Sequence, residues 1–391
     1  MVISIIIFFI IFGILVISHE GGHFLIARAN GIRVKEFTVG IGPQIFHVVK
    51  GGTVFSIRLL PFGGACIFDG MFEDEEDEED TEDDGKKENA FSAAIGKMLS
   101  SAAEKGLIDE EKAAKDEEEF KAQGVPFPEA GVWGRIATIL AGPVFNFILA
   151  YLIALVITAF TPWNYPVISG FTDASAAEEA GLKEGDLIIK MDGNKITMAQ
   201  EVRLLSQFSR GADISLTILR DGEKKDVKFT PAFDEEANRY YMGLYVGQVK
   251  EVKGSQIIPY AWYTVRYYFT WTYRSLGLLF TGRIGAESLS GPVGMVKMVD
   301  QTFEASRTFG ISAVVLSMME LALLLSVNLG IMNLLPIPAL DGGRLIFLFI
   351  EVVRGKPVPA DKEGYVNLAG MLLLVALMIF VLFNDIAKFF A

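Results

Sequence analysis

The stretch VISIIIFFIIFGILVISHEGGH, residues 2–23, decides how the rest of the chain is read. It begins apolar enough to lie in lipid and ends in two histidines and a glutamate. Ionisable groups at membrane depth are costly and persist where they pair or do chemistry. His19 and His23 are four residues apart, so on a helix they share a face about one turn apart. Two imidazoles so placed can bind one zinc ion, with Glu20 beside it as candidate general base. The chain has only 3 histidines, so this frame does not follow from histidine abundance. The blander alternative, a satisfied polar cluster or a dead site, leaves Glu and two His in lipid at a cost. Gly21 and Gly22 weaken the helix by about 1 kcal/mol each and leave space for a substrate backbone near the metal.

Composition agrees with a membrane protein. The 391 residues are 51% hydrophobic, with a mean hydropathy of +0.38, too apolar for an ordinary soluble chain. A single cysteine, Cys66, excludes an intrachain disulfide. The net charge of −13 is concentrated in one insert: residues 69–119 hold 21 acidic and 6 basic side chains, leaving the remainder slightly positive. The run FDGMFEDEEDEEDTEDDGKKENAF (68–91) reads as disordered, and residues 93–123 as a solvated cytoplasmic helix pair, with a lid over the site as the alternative. No basic, aromatic stretch suggests nucleic acid as a partner.

Three windows are long and apolar enough to cross a bilayer, Val2 to about Ala27, Ile136 to Phe160 and Leu368 to about Phe383. A fourth, Ile311 to Leu335, carries Glu320, Asn328 and Asn333. The first lacks a basic leader and a cleavage site, so it reads as a retained span. Arg28, Arg33 and Lys35 follow it, which places its N-terminus outside and the next loop in the cytoplasm. The aromatic segment Ile257–Phe280, with Arg266 and Arg274, suits the membrane interface better than its centre. Between the second and third spans, residues 166–248 read strand, helix, strand, helix and a hairpin across Asp221-Gly222. The expected fold class is an α-helical polytopic membrane protein with four transmembrane helices and a small α/β extracytoplasmic domain. The segments are 1–68, 69–130, 131–165, 166–248, 249–305 and 306–391.

Zinc needs a third protein ligand and leaves a fourth position for water. Ala29 stands where the soluble metzincin pattern would place a histidine, and His47 and Glu36 are weak candidates. Asp341, in NLLPIPALDGGR (333–344), is the better one. Prolines and glycines around it unwind the backbone, which is tolerated at membrane depth only where it lines a site. Its alternative is a helix N-cap, since Asp before Gly-Gly is common in turns. His19 and His23 lie near the cytoplasmic end of the first span, and Asp341 beyond the end of its own. They meet only if both spans run outside to inside, which requires one further crossing between them. The aromatic segment then cannot span, and four spans satisfy every constraint.

These residues resemble the site-2 protease family of intramembrane zinc metalloproteases, and GLKEGDLIIKMDGNKI (181–196) looks like a PDZ domain. The combination matches the bacterial branch that regulates sigma factors by cleaving membrane-bound anti-sigma factors. The resemblance implies Zn2+ held by His19, His23 and Asp341, Glu20 as catalytic base, and Asn328 and Asn333 as substrate-handling residues. ILAGPVFNFILA (139–150) also matches the family's second span, SGPVG (290–294) the segment before the third, and TVFSIRLLPFGG (53–64) its membrane-associated β-loop. Val54–Leu60 in that loop is a candidate edge for strand addition by an unwound substrate. Asn328 and Asn333 could equally hold helices together. The implied partners are a single-span, anti-sigma-factor-like substrate, the lipid bilayer, and a peptide C-terminus at the PDZ-like domain. The implied location is the bacterial inner membrane, with both termini and the PDZ-like domain extracytoplasmic and the active site toward the cytoplasm. A non-catalytic PDZ-bearing scaffold, a metal transporter, or clearance of signal-peptide remnants are the competing functions.

Overall fold

The computed structural model describes residues 2–71, 110–173, 175–209, 211–234, 239–283, 285 and 291–390, so the acidic core of the insert lies outside the described residues. Among the described residues, four helices are long and apolar enough to cross a membrane: Val2–Ala29, Val132–Phe160, Ile311–Asn333 and Asp361–Ile386. The chain divides into two compact units, one of Met1–Phe147, Leu289–Glu304 and Leu329–Ala391, the other of Ile148–Ser288 and Ala305–Asn328.

In the first unit, helix α1 (Val2–Ala29) runs into a long hairpin, β1 (Val34–Lys50) and β2 (Thr53–Phe68), closed at Gly51-Gly52. The hairpin doubles back on itself. Val54 to Ile57 pair on one side with Glu36 to Val39 and on the other with Phe46 to Val49. Glu36 to Val39 also pair with Gly64 to Ile67, which leaves that last segment as an edge among the described residues. The corner that permits this lies at Gly40 and Gly42, both at φ 93°, a conformation L side chains rarely adopt. The expectation that Val54–Leu60 offers a free edge is therefore corrected, because the 54–57 stretch has ladder partners on both sides.

Helix α2 (Glu110–Lys121) returns from the insert and is tied to the hairpin through Gln123. Its side-chain oxygen accepts from the Val34 N–H at 3.0 Å, and its amide nitrogen donates to the Gly51 carbonyl at 2.6 Å. Helix α3 (Val132–Phe160) follows and approaches α1 closely: a Cβ on Gly22 would lie 2.5 Å from the Ala141 carbonyl oxygen. The room read at Gly22 thus serves helix packing rather than substrate, whereas Gly21 has nothing within 4 Å.

The second unit holds the PDZ-like domain. Its strands are β3 (Trp163–Phe171), β4 (Leu187–Met191), β5 (Asn194–Lys195), β6 (Ile214–Arg220), β7 (Glu223–Phe229), β8 (Ala232–Asp234), β9 (Arg239–Tyr241) and β10 (Leu244–Lys250). Its helices are α4 (Ala176–Glu179) and α5 (Ala199–Ser209). The sheet order β10-β3-β4-β6-β7 leaves β10 at an edge. Ile168, Ile188, Met191, Val202, Ile214, Leu216 and Ile218 form its core. The predicted hairpin closes with Asp221 and Gly222 both at positive φ, 52° and 84°, as a tight primed turn requires.

Helix α6 (Ile257–Phe280) occupies the aromatic segment and is not among the spanning helices. Its arginines do not sit free at an interface. Arg266 donates to Thr197 Oγ1 at 2.9 Å and Glu201 Oε1 at 2.5 Å, and Arg274 to Asn194 Oδ1 at 3.2 Å. Tyr260 packs edge-on to Trp163 and shares a hydrogen bond with Tyr165. Many of the polar anchors read from the sequence therefore dock this helix onto the PDZ-like domain.

Helix α7 (Pro292–Arg307) precedes α8 (Ile311–Asn333). After a turn come α9 (Asp341–Arg354) and α10 (Ala360–Phe390). In the first unit Asp385 of α10 accepts from the Gly291 and Gly294 N–H groups at 2.9 and 2.8 Å, fixing the start of α7.

Candidate metal centre and active site

The site lies within the first unit, where α1, α3, α9 and the end of α8 contribute side chains. His19 and His23 emerge on one face of α1, both buried. Asp341 is the first residue of α9, and the cap position is Leu340, which makes no side-chain cap. The N-cap alternative for Asp341 is thereby replaced: its carboxylate turns to the histidines. Gly342 and Gly343 permit this, since a Cβ on either would lie 2.2 to 2.4 Å from the Leu335 or Ile337 carbonyl oxygen.

Asp341 Oδ2 is 3.2 Å from His19 Nε2 and 3.4 Å from His23 Nε2, and the two Nε2 atoms are 3.3 Å apart. Tetrahedral zinc with bonds of about 2.0–2.1 Å needs its ligand atoms about 3.3–3.4 Å from one another. Apart from these two imidazoles, Asp341 Oδ2 is buried without a hydrogen-bond donor. Two nitrogens and one carboxylate oxygen at that spacing suit Zn2+, and as three ligands they leave the open position of a catalytic site. Among the described residues this is the one cluster of three such side chains.

Helix α3 backs the histidines. His23 Nδ1 donates to the Thr138 carbonyl at 2.8 Å, and the Asn146 side-chain amide lies 3.1 Å from His19 Nδ1. Between them Gly142 presents no side chain, and a Cβ there would lie 2.3 Å from His23 Nε2 and 2.8 Å from His19 Cε1. The sequence reading matched this span to the family but assigned none of these three a role. The signal was their i, i+4, i+8 spacing, which puts them on one helical face.

Glu20 sits on α1 beside the cluster, with its carboxylate accepting from the Cys66 main-chain N–H on the β2 edge. The Cys66 thiol is pushed up by burial and then by the Glu20 carboxylate, which disfavours its thiolate form. Asn333, at the end of α8, brings its amide nitrogen to 3.5 Å from His19 Nε2. Asn328, in the second unit, accepts through Oδ1 from the Thr272 hydroxyl of α6, a helix-to-helix contact. His47 is exposed on β1, and Glu36 is bound by Arg58 at 3.0 Å, so neither weak ligand candidate joins the cluster.

A family model described as Peptidase family M50 matches residues 7–377. "Regulator of sigma-W protease RasP" of Bacillus subtilis is 34% identical over 99% of both chains. "Zinc metalloprotease RasP" of Geobacillus kaustophilus is 34% identical over 99% of this chain and 98% of its own. "Probable protease eep" of Enterococcus faecalis is 33% identical over 99% of both. The PDZ domain of an SdrC-like protein from Listeria monocytogenes is similar at 18% identity over 22% of this chain and 86% of that one, with a TM-score of 0.19.

Proposed function

The chain belongs to peptidase family M50, the site-2 proteases, and from that premise we propose that it cuts single-span membrane proteins of the anti-sigma-factor type after a first extracytoplasmic cleavage. It is an intramembrane zinc metalloendopeptidase of the bacterial inner membrane. The convergence of His19, His23 and Asp341 with Glu20 alongside is the observation that carries the site assignment. His19, His23 and Asp341 hold the metal. When bound, zinc acidifies a water to a pKa of about 7 and polarises the scissile carbonyl.

Glu20 takes the proton of the attacking water and later gives it to the leaving amine. The Cys66 N–H holds its carboxylate in place for both transfers. A substrate helix must unwind before its amides are accessible. The edge at Gly64 to Ile67 adjoins Glu20, and its main-chain groups other than the Cys66 N–H are suited to pair with the opened strand. Asn333, beside His19, is placed to hold a substrate carbonyl through its amide donors. The contact to Thr272 favours a helix-holding role for Asn328.

The basic residues after α1 orient the site toward the cytoplasm, with the PDZ-like domain and both termini outside. The β10 edge, with Tyr245 and Val249 exposed on it, suits capture of a substrate C-terminus freed by the first cut. Purified protein in liposomes should cleave a pre-trimmed single-span substrate, with chelator blocking turnover. Glu20→Gln should keep zinc and lose cleavage. Retained turnover in that variant would overturn the assignment, and faster cleavage of signal-peptide remnants than of the trimmed substrate would replace the proposed substrate class.

A further inference from the structure

Zinc held through a histidine's Nε2 requires the ring proton on Nδ1, since a neutral imidazole has one proton and the metal takes the other nitrogen's lone pair. His23 meets that condition without choice. Its Nδ1 faces the Thr138 main-chain carbonyl at 2.8 Å, an atom that only accepts. Among the described residues His19 has no backbone partner of this kind. What faces its Nδ1 is the side-chain amide of Asn146, fully buried, with its nitrogen Nδ2 placed at 3.1 Å.

An amide can present either end. Its NH2 end would require the lone pair on His19 Nδ1 and place the proton on Nε2, the atom that must bind the metal. Its oxygen end accepts from Nδ1–H and leaves Nε2 free. The two ends exchange by a half-turn of the terminal torsion, which swaps oxygen and nitrogen between nearly the same two positions. We propose that Asn146 is a positioning residue for zinc: its carbonyl oxygen accepts from His19 Nδ1–H and fixes the tautomer and ring plane in which Nε2 coordinates.

This inference rests on the zinc reading of the site. Thr138, Gly142 and Asn146 then form one bracket on α3, two acceptors flanking a gap that admits both rings. Outer-shell acceptors of ligating histidines contribute about 10–100-fold to metal affinity.

The test is zinc affinity of the full-length protein in detergent, by competition with a chromophoric chelator, together with the melting temperature of each metal-free variant. Asn146→Leu keeps the branched outline and removes the acceptor, and should bind zinc about 10–100-fold more weakly than the parent. Asn146→Asp offers only acceptor oxygens and should restore affinity to within a few-fold of the parent. A purely structural role would weaken both variants alike, with affinity following the metal-free melting temperature. Leucine binding zinc as tightly as asparagine would overturn the proposal, as would a folded Asp variant as weak as the Leu variant. Failure of the parent itself to bind one zinc would remove the metalloprotease site altogether.

Discussion

Replacing Gly142 by alanine gives the sharpest test of how the histidines are seated. The added Cβ would stand 2.3 Å from His23 Nε2, 2.6 Å from its Cε1 and 2.8 Å from His19 Cε1. Ordinary contacts between such atoms begin near 3.5 Å, so one ring or the whole of α3 must retreat by about 1 Å. Metal–ligand distances tolerate about 0.2 Å, so a ring displaced that far no longer coordinates. Strain of this kind costs about 1–3 kcal/mol. Loss of a direct ligand should weaken zinc binding by more than the roughly 10–100-fold that outer-shell changes cause. Zinc stoichiometry after equilibration with a chelator buffer, read beside the melting temperature, gives both quantities. Gly13→Ala is the control, because nothing lies within 4 Å of the added atom there. Full zinc occupancy and parental stability in Gly142→Ala would refute the packing argument.

Other outcomes follow from the same structure. Asp341→Ala should lose bound zinc, and a retained one-to-one metal ratio by elemental analysis would reject that ligand. Thr272→Val removes the donor to Asn328 and should lower stability by about 0.6 kcal/mol while leaving turnover intact. Asn333→Ala should instead depress kcat/KM on a single-span substrate without lowering zinc content. In the PDZ-like domain, burial works against the charged Asp186 carboxylate. Paired hydrogen bonds from Arg220, both 2.6 Å, and one from the Lys183 N–H outweigh it and hold the carboxyl below its usual range. Its folded value lies below its unfolded one, so the stabilisation is complete above about pH 4 and lost as pH falls through the folded value. Hydrogen exchange of residues 181–220 in the intact protein should accelerate only in that acid window, and Asp186→Asn should remove the dependence.

Much of this architecture was readable from spacing alone. His19 and His23 sit one turn apart, the apolar windows match the four long helices, and Asp221-Gly222 closes the hairpin it announces. Each is a local pattern, fixed by helical period or turn geometry. What escaped depends on contacts distant in sequence. Thr138, Gly142 and Asn146 look like ordinary residues of an apolar helix until α1 is laid against them. The edge at Gly64 to Ile67 could not be told from Val54–Leu60, because which strand is outermost follows from the doubling back at Gly40–Gly42. The arginines of α6 read as lipid anchors because nothing local reveals Glu201 and Asn194 waiting for them.

The proposed ligand set is divided between two distant parts of the chain, with His19 and His23 on α1 and Asp341 opening α9. A ribosome making this protein therefore delivers both imidazoles and Glu20 to the bilayer long before the aspartate is translated. During that interval the nascent chain would hold the proposed proton acceptor and two of the three proposed anchors for the ion. On the proposed reading of the site, zinc binding and hydrolysis should begin only after α9 has been translated and inserted.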